Sequence, residues 1–403
     1  MHLSRRSFLA ATTAATAAGF AVRDARALVK TQAPAGRFDP WIEVDAGALS
    51  YNLGQVRRLS ARPVLAVVKN NAYGLGLELA SRLLEPMPGI DGFAVVRTRE
   101  AIALREAGIT KPILLMARAA DNDIVELANH RIEFAIFADD DVRRFSSAAV
   151  AAAVAPANLA VHFYIDSGMG RMGLPYHRAL PLLRDAAPAG LAVKGTFTEF
   201  AEDAEFDREQ LRRFRDLVAR AVGERLVLGR LHAASSNGVF HLPAAHLDLV
   251  RPGIALYGAY PSRPEEERAM AELRPAFRLQ ARVVRVEQLR AGDSVSYGRN
   301  YIADRPVHVA TLPVGHSDGY PREAVKGGRV LIGGRLYPVI GAVSASHCIV
   351  EVGDEATVRI GDVVTFIGPD DPAIHPNTLA TTLGVSVYDL LMHLSPTLPR
   401  FIT

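Results

Sequence analysis

The amino-acid sequence predicts an α/β unit followed by an all-β unit: an N-terminal (β/α)8 barrel, then a C-terminal antiparallel β domain. Three observations carry this. Between residues 38 and 270 an apolar, often β-branched run, a polar or glycine turn and an Ala/Leu/Arg-rich amphipathic segment recur about eight times. Within 271–403 the pattern changes to alternating apolar and polar residues between Gly and Asp turns. At 403 residues the chain is also long enough for two domains.

In chain order, "SRRSFLA" sets the Arg5–Arg6 pair before a mildly apolar Ala/Thr stretch, and Ala25-Arg26-Ala27 offers small residues where a signal peptidase cuts. Residues 1–27 are therefore expected to be a twin-arginine signal peptide, with the mature protein exported or periplasmic. A Pro/Gly linker, "APAGRFDP", leads to a short strand and helix start in "WIEVDAGAL". The barrel strands are predicted in "VLAVVK", "GFAVV", "PILLM", "EFAIF", "LAVHFYID", "VKGTFT", "RLHAAS" and "LDLVRPGIALYG". Segments such as "TREAIALREAG" and "DREQLRRFRDLVARAVG" supply the helices between them. The β domain is read from "FRLQARVVRVEQLRAGDSVSYG" to "CIVEVGDEATVRIGDVVTFIG", and a last helix from "NTLATTLGVSVYDLLMHLS", capped by Asn377 or Thr378.

Composition excludes several classes of function. With 49% hydrophobic and 22% charged residues the chain is a globular protein. Its one cysteine, Cys348, forms no intramolecular disulfide and belongs to no CxxC pair, and no metal site is expected. Removing residues 1–27 takes away four arginines and one aspartate, leaving 42 basic and 42 acidic residues, so the excess positive charge belongs to the leader. No Lys/Arg cluster with interleaved aromatics suggests nucleic acid, and no apolar run after the leader is long enough for a membrane span.

Active sites of such barrels form where strands end and βα loops begin. Lys69 closes the first apolar run, Arg171 follows the fifth in "YIDSGMGRMG", His232 and Ser236 lie in "LHAASSN", and Arg251 lies in the eighth run. A lysine at a buried strand end snorkels, pairs with a carboxylate, or has given up its charge for chemistry. Arg171 alone can be a surface ion-pair residue and His232 alone a satisfied core histidine; their shared rim argues for a site. Ser236-Asn237-Gly238 and Arg251-Pro252-Gly253-Ile254 can offer backbone N–H groups to a phosphate.

Six segments, "AVVKNNAYGLG", "IDSGMGRMG", "HAASSNG", "DLVRPGIALYG", "SVSYGRNY" and "GHSDGYPR", occur in an order and spacing that resembles the alanine racemases. These are pyridoxal-phosphate enzymes with a barrel and a C-terminal β domain, and the likeness runs from about residue 40 to the C-terminus. It implies that Lys69 holds pyridoxal 5'-phosphate covalently. It also implies that Tyr73, Ser236, the backbone at Gly253–Ile254 and Tyr388 anchor the phosphate, and that Arg251 donates to the ring nitrogen. Arg171 would stand near the phenolic oxygen and the substrate carboxylate. Two bases would act on an amino-acid substrate, Lys69 on the D-enantiomer and Tyr297 on the L-enantiomer, with Tyr297 supplied by the partner of a homodimer. His232, beside Arg251, is expected to help Tyr297 through a hydrogen-bond relay.

Departures from the family's pattern gather at the substrate. Leu75 stands where a histidine is usual, Tyr164 where a lysine is commonly carbamylated, and Glu199 where a histidine packs on the cofactor ring. Small residues, Ser344, Ala345 and Ser346, replace a Met-Asp pair, which implies a wider entrance and substrates beyond alanine. Three other readings are a pyridoxal-phosphate decarboxylase, an exported binding protein that keeps the cradle without turnover, and a sugar or phosphate barrel enzyme in which Lys69 is incidental.

Overall fold

The computed structural model describes residues 36–403 except 152 and 154; the proposed leader, residues 1–27, lies outside them. Seven parallel strands follow one another in a single sheet: Val64–Val67, Ile90–Val95, Ile113–Leu115, Ile132–Ile136, Ala160–Asp166, Ala192–Phe197 and Arg230–His232. The eighth stave is the extended segment around Leu249–Val250, which bridges His232 on one side and Val64 on the other. Backbone bonds from Leu65 N to Val250 O (2.9 Å) and from Val67 N to Pro252 O (3.0 Å) close the ring. All eight predicted strand segments are therefore staves, and helices such as Thr98–Glu106 and Phe206–Gly223 cover the outside. Apolar runs such as Val64–Val67, buried at every position, need that cover on both faces.

The C-terminal part is a nine-stranded sheet. Its order is Arg285–Leu289, Val307–Leu312, Cys348–Gly353, Arg335–Ile340, Arg329–Ile332, Val363–Ile367, Phe277–Arg282, Trp41–Val44 and Arg400–Ile402. Every pair is antiparallel except the last. The expected boundary at residue 38 puts Trp41–Val44 with the barrel, but this strand pairs with Phe277–Arg282 and Arg400–Ile402 and so belongs to the β sheet. Asp45 then caps the helix Ala46–Ser60 by accepting from Ala48 N at 2.8 Å, which returns the chain to the barrel.

The last helical segment is two helices, Pro376–Leu383 and Val387–Met392, with Gly384 left-handed between them. The first is capped by His375 rather than Asn377 or Thr378, because Pro376 takes the first helical position. One buried apolar cluster runs from the barrel through Phe277 to Leu391 and Leu394, so the two parts share a core.

Candidate active site

A cavity of about 510 Å³ opens at the C-terminal rim of the barrel. It is lined by Lys69, Tyr73, Arg171, Ser236, Arg251, Gly253, Ile254 and Tyr388, all named from sequence, and also by Tyr164, Phe197, Glu199 and Glu202. Tyr297, Ser344, Ala345 and Ser346 do not line it within one chain. Tyr297 sits at the tip of the hairpin formed by Ser294–Val295 and Tyr301–Ile302 and is 79% exposed. Ser296 bonds through its hydroxyl to Ala342 O, which ties that tip to the loop carrying Ser344–Ser346.

Lys69 follows its strand after Val68, and the chain then makes a left-handed turn through Asn70, Asn71, Ala72 and Tyr73, with φ from 51° to 59°. Asparagine tolerates this region; alanine and tyrosine are strained there. The turn is held by buried Glu100, which accepts from Asn70 N at 2.7 Å, and by the Asn71 side chain, which accepts from Leu77 N at 2.9 Å. Burial lowers the Lys69 pKa from its ordinary value; Arg171 and Arg251 act in the same direction and Glu199 and Glu100 against it. A larger fraction of this amine is neutral at a given pH than in an ordinary lysine.

Arg251 is fully buried. Its Nη2 donates to Thr198 O (2.8 Å), Glu199 Oε2 (3.0 Å) and Ala233 O (3.3 Å), and its Nη1 donates to His232 Nδ1 at 3.0 Å. A guanidinium has five N–H groups; the Nε proton and one Nη1 proton are not used in these bonds, on a residue that lines the cavity. The other nitrogen of His232 bonds to His162 Nδ1 at 3.0 Å, and His162 Nε2 bonds to Glu133 Oε2 at 2.9 Å. Both nitrogens of His232 are thus engaged inside the barrel, and His232 reaches the cavity only through Arg251. Burial, and then Arg251, lower the His232 pKa well below the usual histidine value.

The phosphate end is built from three elements. Ser236 Oγ accepts from Gly253 N (3.0 Å) and Ala255 N (3.2 Å), fastening the loop after the eighth stave to the start of the helix Ser236–His241. Tyr73, Tyr257 and Tyr388 cluster there, with Tyr73 ring centroids 5.1 and 6.4 Å from the other two. A Cβ on Gly253 would lie 2.3 Å from the Tyr73 hydroxyl oxygen. The Gly253 N–H is engaged by Ser236, so the amide left for an anion in this pair is that of Ile254.

Tyr164 accounts for the missing lysine. It stacks on Phe197 with centroids 4.3 Å apart and lies close enough to Arg171 for the guanidinium to favour its ionised form, although burial, the larger effect, raises its pKa. Sequence reading also missed Glu100, Glu133 and His162. Glu100 sits in the first turn of its helix and Glu133 and His162 sit inside strand runs, where nothing local marks them. Among the described residues no group of three or more metal-ligating side chains forms, and no helix is long and apolar enough to cross a membrane.

Residues 44–261 match the family model described as alanine racemase, N-terminal domain, and residues 276–402 match that of the C-terminal domain. Over 373 residues the chain is 34% identical to the alanine racemase of Desulforamulus reducens, covering 89% of this chain and 98% of that protein. Against the alanine racemase of Syntrophobacter fumaroxidans it is 36% identical over 337 residues, 81% and 88% of the two chains. The solved alanine racemase of Clostridium difficile 630 superposes with a TM-score of 0.83 at 27% identity, over 93% of this chain and 97% of that one.

Proposed function

Because this chain belongs to the alanine racemase family, we propose that it is a pyridoxal-phosphate-dependent amino-acid racemase with alanine among its substrates. The observation that carries this reading is the juxtaposition, on one cavity, of an amine with a lowered pKa and a buried guanidinium with donors to spare. These residues fit the cofactor the family uses. Lys69 Nζ is the amine that would hold it, and Arg251 would donate to its ring nitrogen and, being always protonated, keep that nitrogen bare. Ser236, Ile254 N, Tyr73 and Tyr388 would hold its phosphate. Bound, pyridoxal phosphate supplies an electron sink that acidifies the Cα–H of an amino acid.

The chain's own groups then have separate tasks. Arg171, beside Tyr164 on the cavity wall, binds the substrate carboxylate. Lys69 Nζ takes or returns the Cα proton on one face. Tyr297 Oη does so on the other, supplied by the second subunit of a homodimer; its high exposure in a single chain is consistent with that placement. The small residues Ser344, Ala345 and Ser346 beside the Tyr297 hairpin favour side chains larger than methyl. We further read residues 1–27 as a twin-arginine leader that exports the folded protein, tested by sequencing the N-terminus of the secreted form, expected at Leu28.

The decisive experiment incubates purified holoprotein with single L- and D-amino acids and follows both enantiomers by chiral chromatography. Racemisation of alanine is expected, with Lys69→Ala abolishing both turnover and the protein-bound chromophore. Absence of Cα deuterium exchange would instead indicate a binding protein, and release of carbon dioxide a decarboxylase.

A further inference from the structure

The row Arg251–His232–His162–Glu133 allows one pattern of protons. Arg251 can only donate, so His232 Nδ1 must accept and, being neutral, carries its proton on Nε2. That proton is donated to His162 Nδ1 at 3.0 Å, which places the His162 proton on Nε2, directed at Glu133 Oε2 at 2.9 Å. An ionised carboxylate only accepts, so the far end agrees with the near end. If His162 instead carried its proton on Nδ1, His232 Nε2 would have to accept, His232 Nδ1 would bear hydrogen, and it would oppose the Arg251 Nη1–H.

The barrel is shaped for this row. His162 and His232 are buried, and Glu133 is largely so. A Cβ on Gly195, on the neighbouring strand, would come within 2.5 Å of His162 Nδ1, so only glycine leaves the imidazole its seat. His232 is also stacked on Phe197, with centroids 4.9 Å apart, and Phe197 lies under the Arg251 guanidinium.

We propose that Glu133 and His162 are positioning residues for Arg251, acting as a tautomer lock that keeps the His232 nitrogen facing the guanidinium an acceptor. Neither touches the cavity. Their effect passes through His232 to the orientation of the Arg251 donors that remain for a ligand. The consequence for turnover rests on the racemase reading, whereas the lock itself is a property of the protein alone.

The test uses the full chain labelled with 15N-histidine, whose imidazole nitrogen shifts distinguish the two neutral tautomers. His162 and His232 are expected as single Nε2–H tautomers in the wild type, assigned from His162→Gln and His232→Gln. Glu133→Leu leaves the buried His162 Nε2–H without an acceptor, a penalty that opposes the preference set by Arg251 at the other end, so it is expected to leave His162 a mixture of tautomers and lower kcat about tenfold with the substrate KM little changed, whereas Glu133→Gln, whose amide oxygen still accepts, retains Nε2–H and most of kcat. Gly195→Ala, which displaces His162 without altering a charge, is expected to act like Glu133→Leu. A proton on Nδ1 of either histidine in the wild type overturns the lock, and so does an unchanged tautomer in Glu133→Leu. The wild-type spectrum decides even where a variant does not fold. A protein with the stated tautomers that racemises nothing would refute the functional reading and leave the lock standing.

Discussion

At Gly253 the absence of one methyl group lets a loop and a phenol meet. Gly253→Ala puts a Cβ against the Tyr73 hydroxyl, and relieving that overlap costs about 1–3 kcal/mol. The variant is expected to show a lower urea midpoint and weaker retention of pyridoxal phosphate on dialysis. Glu202, at the same cavity, gives a pH signature. Burial, then Glu199, push its pKa up to about 6 from an ordinary 4.5, so the folded protein binds more protons there than the unfolded chain between those values. Stability from this group is therefore present at low pH and falls as pH rises through that window. Glu202→Gln removes the charge, so its melting temperature is expected to exceed the wild type's above pH 6 and the gap to shrink toward pH 4.5, read by scanning fluorimetry across pH.

At the scale of the element, the left-handed turn after Lys69 aims the lysine. Two asparagines in sequence announce a turn, but Ala72 and Tyr73 at positive φ are held by contacts from elsewhere: Glu100 from the helix Thr98–Glu106 and Arg400, whose Nη2 donates to Gly74 O at 2.7 Å. Asn71→Ala loses both the tolerance for φ near 59° and the acceptor for Leu77 N, for a cost of about 1–2 kcal/mol. It is expected to lower the chemical-denaturation midpoint while leaving the far-ultraviolet spectrum intact. The final helix teaches the same lesson. Asn377 has the chemistry of a cap, yet its side chain is engaged across the molecule, accepting from Tyr260 N and donating to Tyr260 O, both at 2.9 Å. Local propensity identified the right neighbourhood; Pro376 at the first helical position set the cap at His375, and tertiary contacts took up the Asn377 side chain.

Across the whole molecule, the two ends of the described chain lie side by side, Trp41–Val44 pairing in parallel with Arg400–Ile402. Deleting residues 400–403 removes that edge strand and the Arg400 bond to Gly74, so it is expected to destabilise the β sheet and loosen the Lys69 turn, read as a lowered melting temperature and faster loss of cofactor. The placement of Tyr297 is tested by subunit mixing. If each site pairs Lys69 of one chain with Tyr297 of the other, a hybrid of Lys69→Ala and Tyr297→Phe chains has one intact site. Random reassortment of the two inactive proteins should then restore about a quarter of wild-type activity. No recovery, with hybrids demonstrated by mass, would mean that Tyr297 acts within its own chain or not at all.

The strand and helix periods, the turn residues and the polar residues that close each stave were legible in the sequence, because hydrophobic burial imposes a pattern on every element separately. The eight staves and the cavity-lining Lys69, Arg171, Ser236, Arg251 and Gly253–Ile254 follow from that, whereas Tyr73 and Tyr388 were named only through the resemblance to the alanine racemases. What only the tertiary structure decided are the pairings between residues far apart in the chain. Glu133 with His162, His162 with His232 and Glu199 with Arg251 are hydrogen bonds across barrel staves and loops. A hydrogen bond depends on where two atoms arrive in space, and a buried Glu or His inside an apolar run carries no local sign of the partner that makes its burial tolerable.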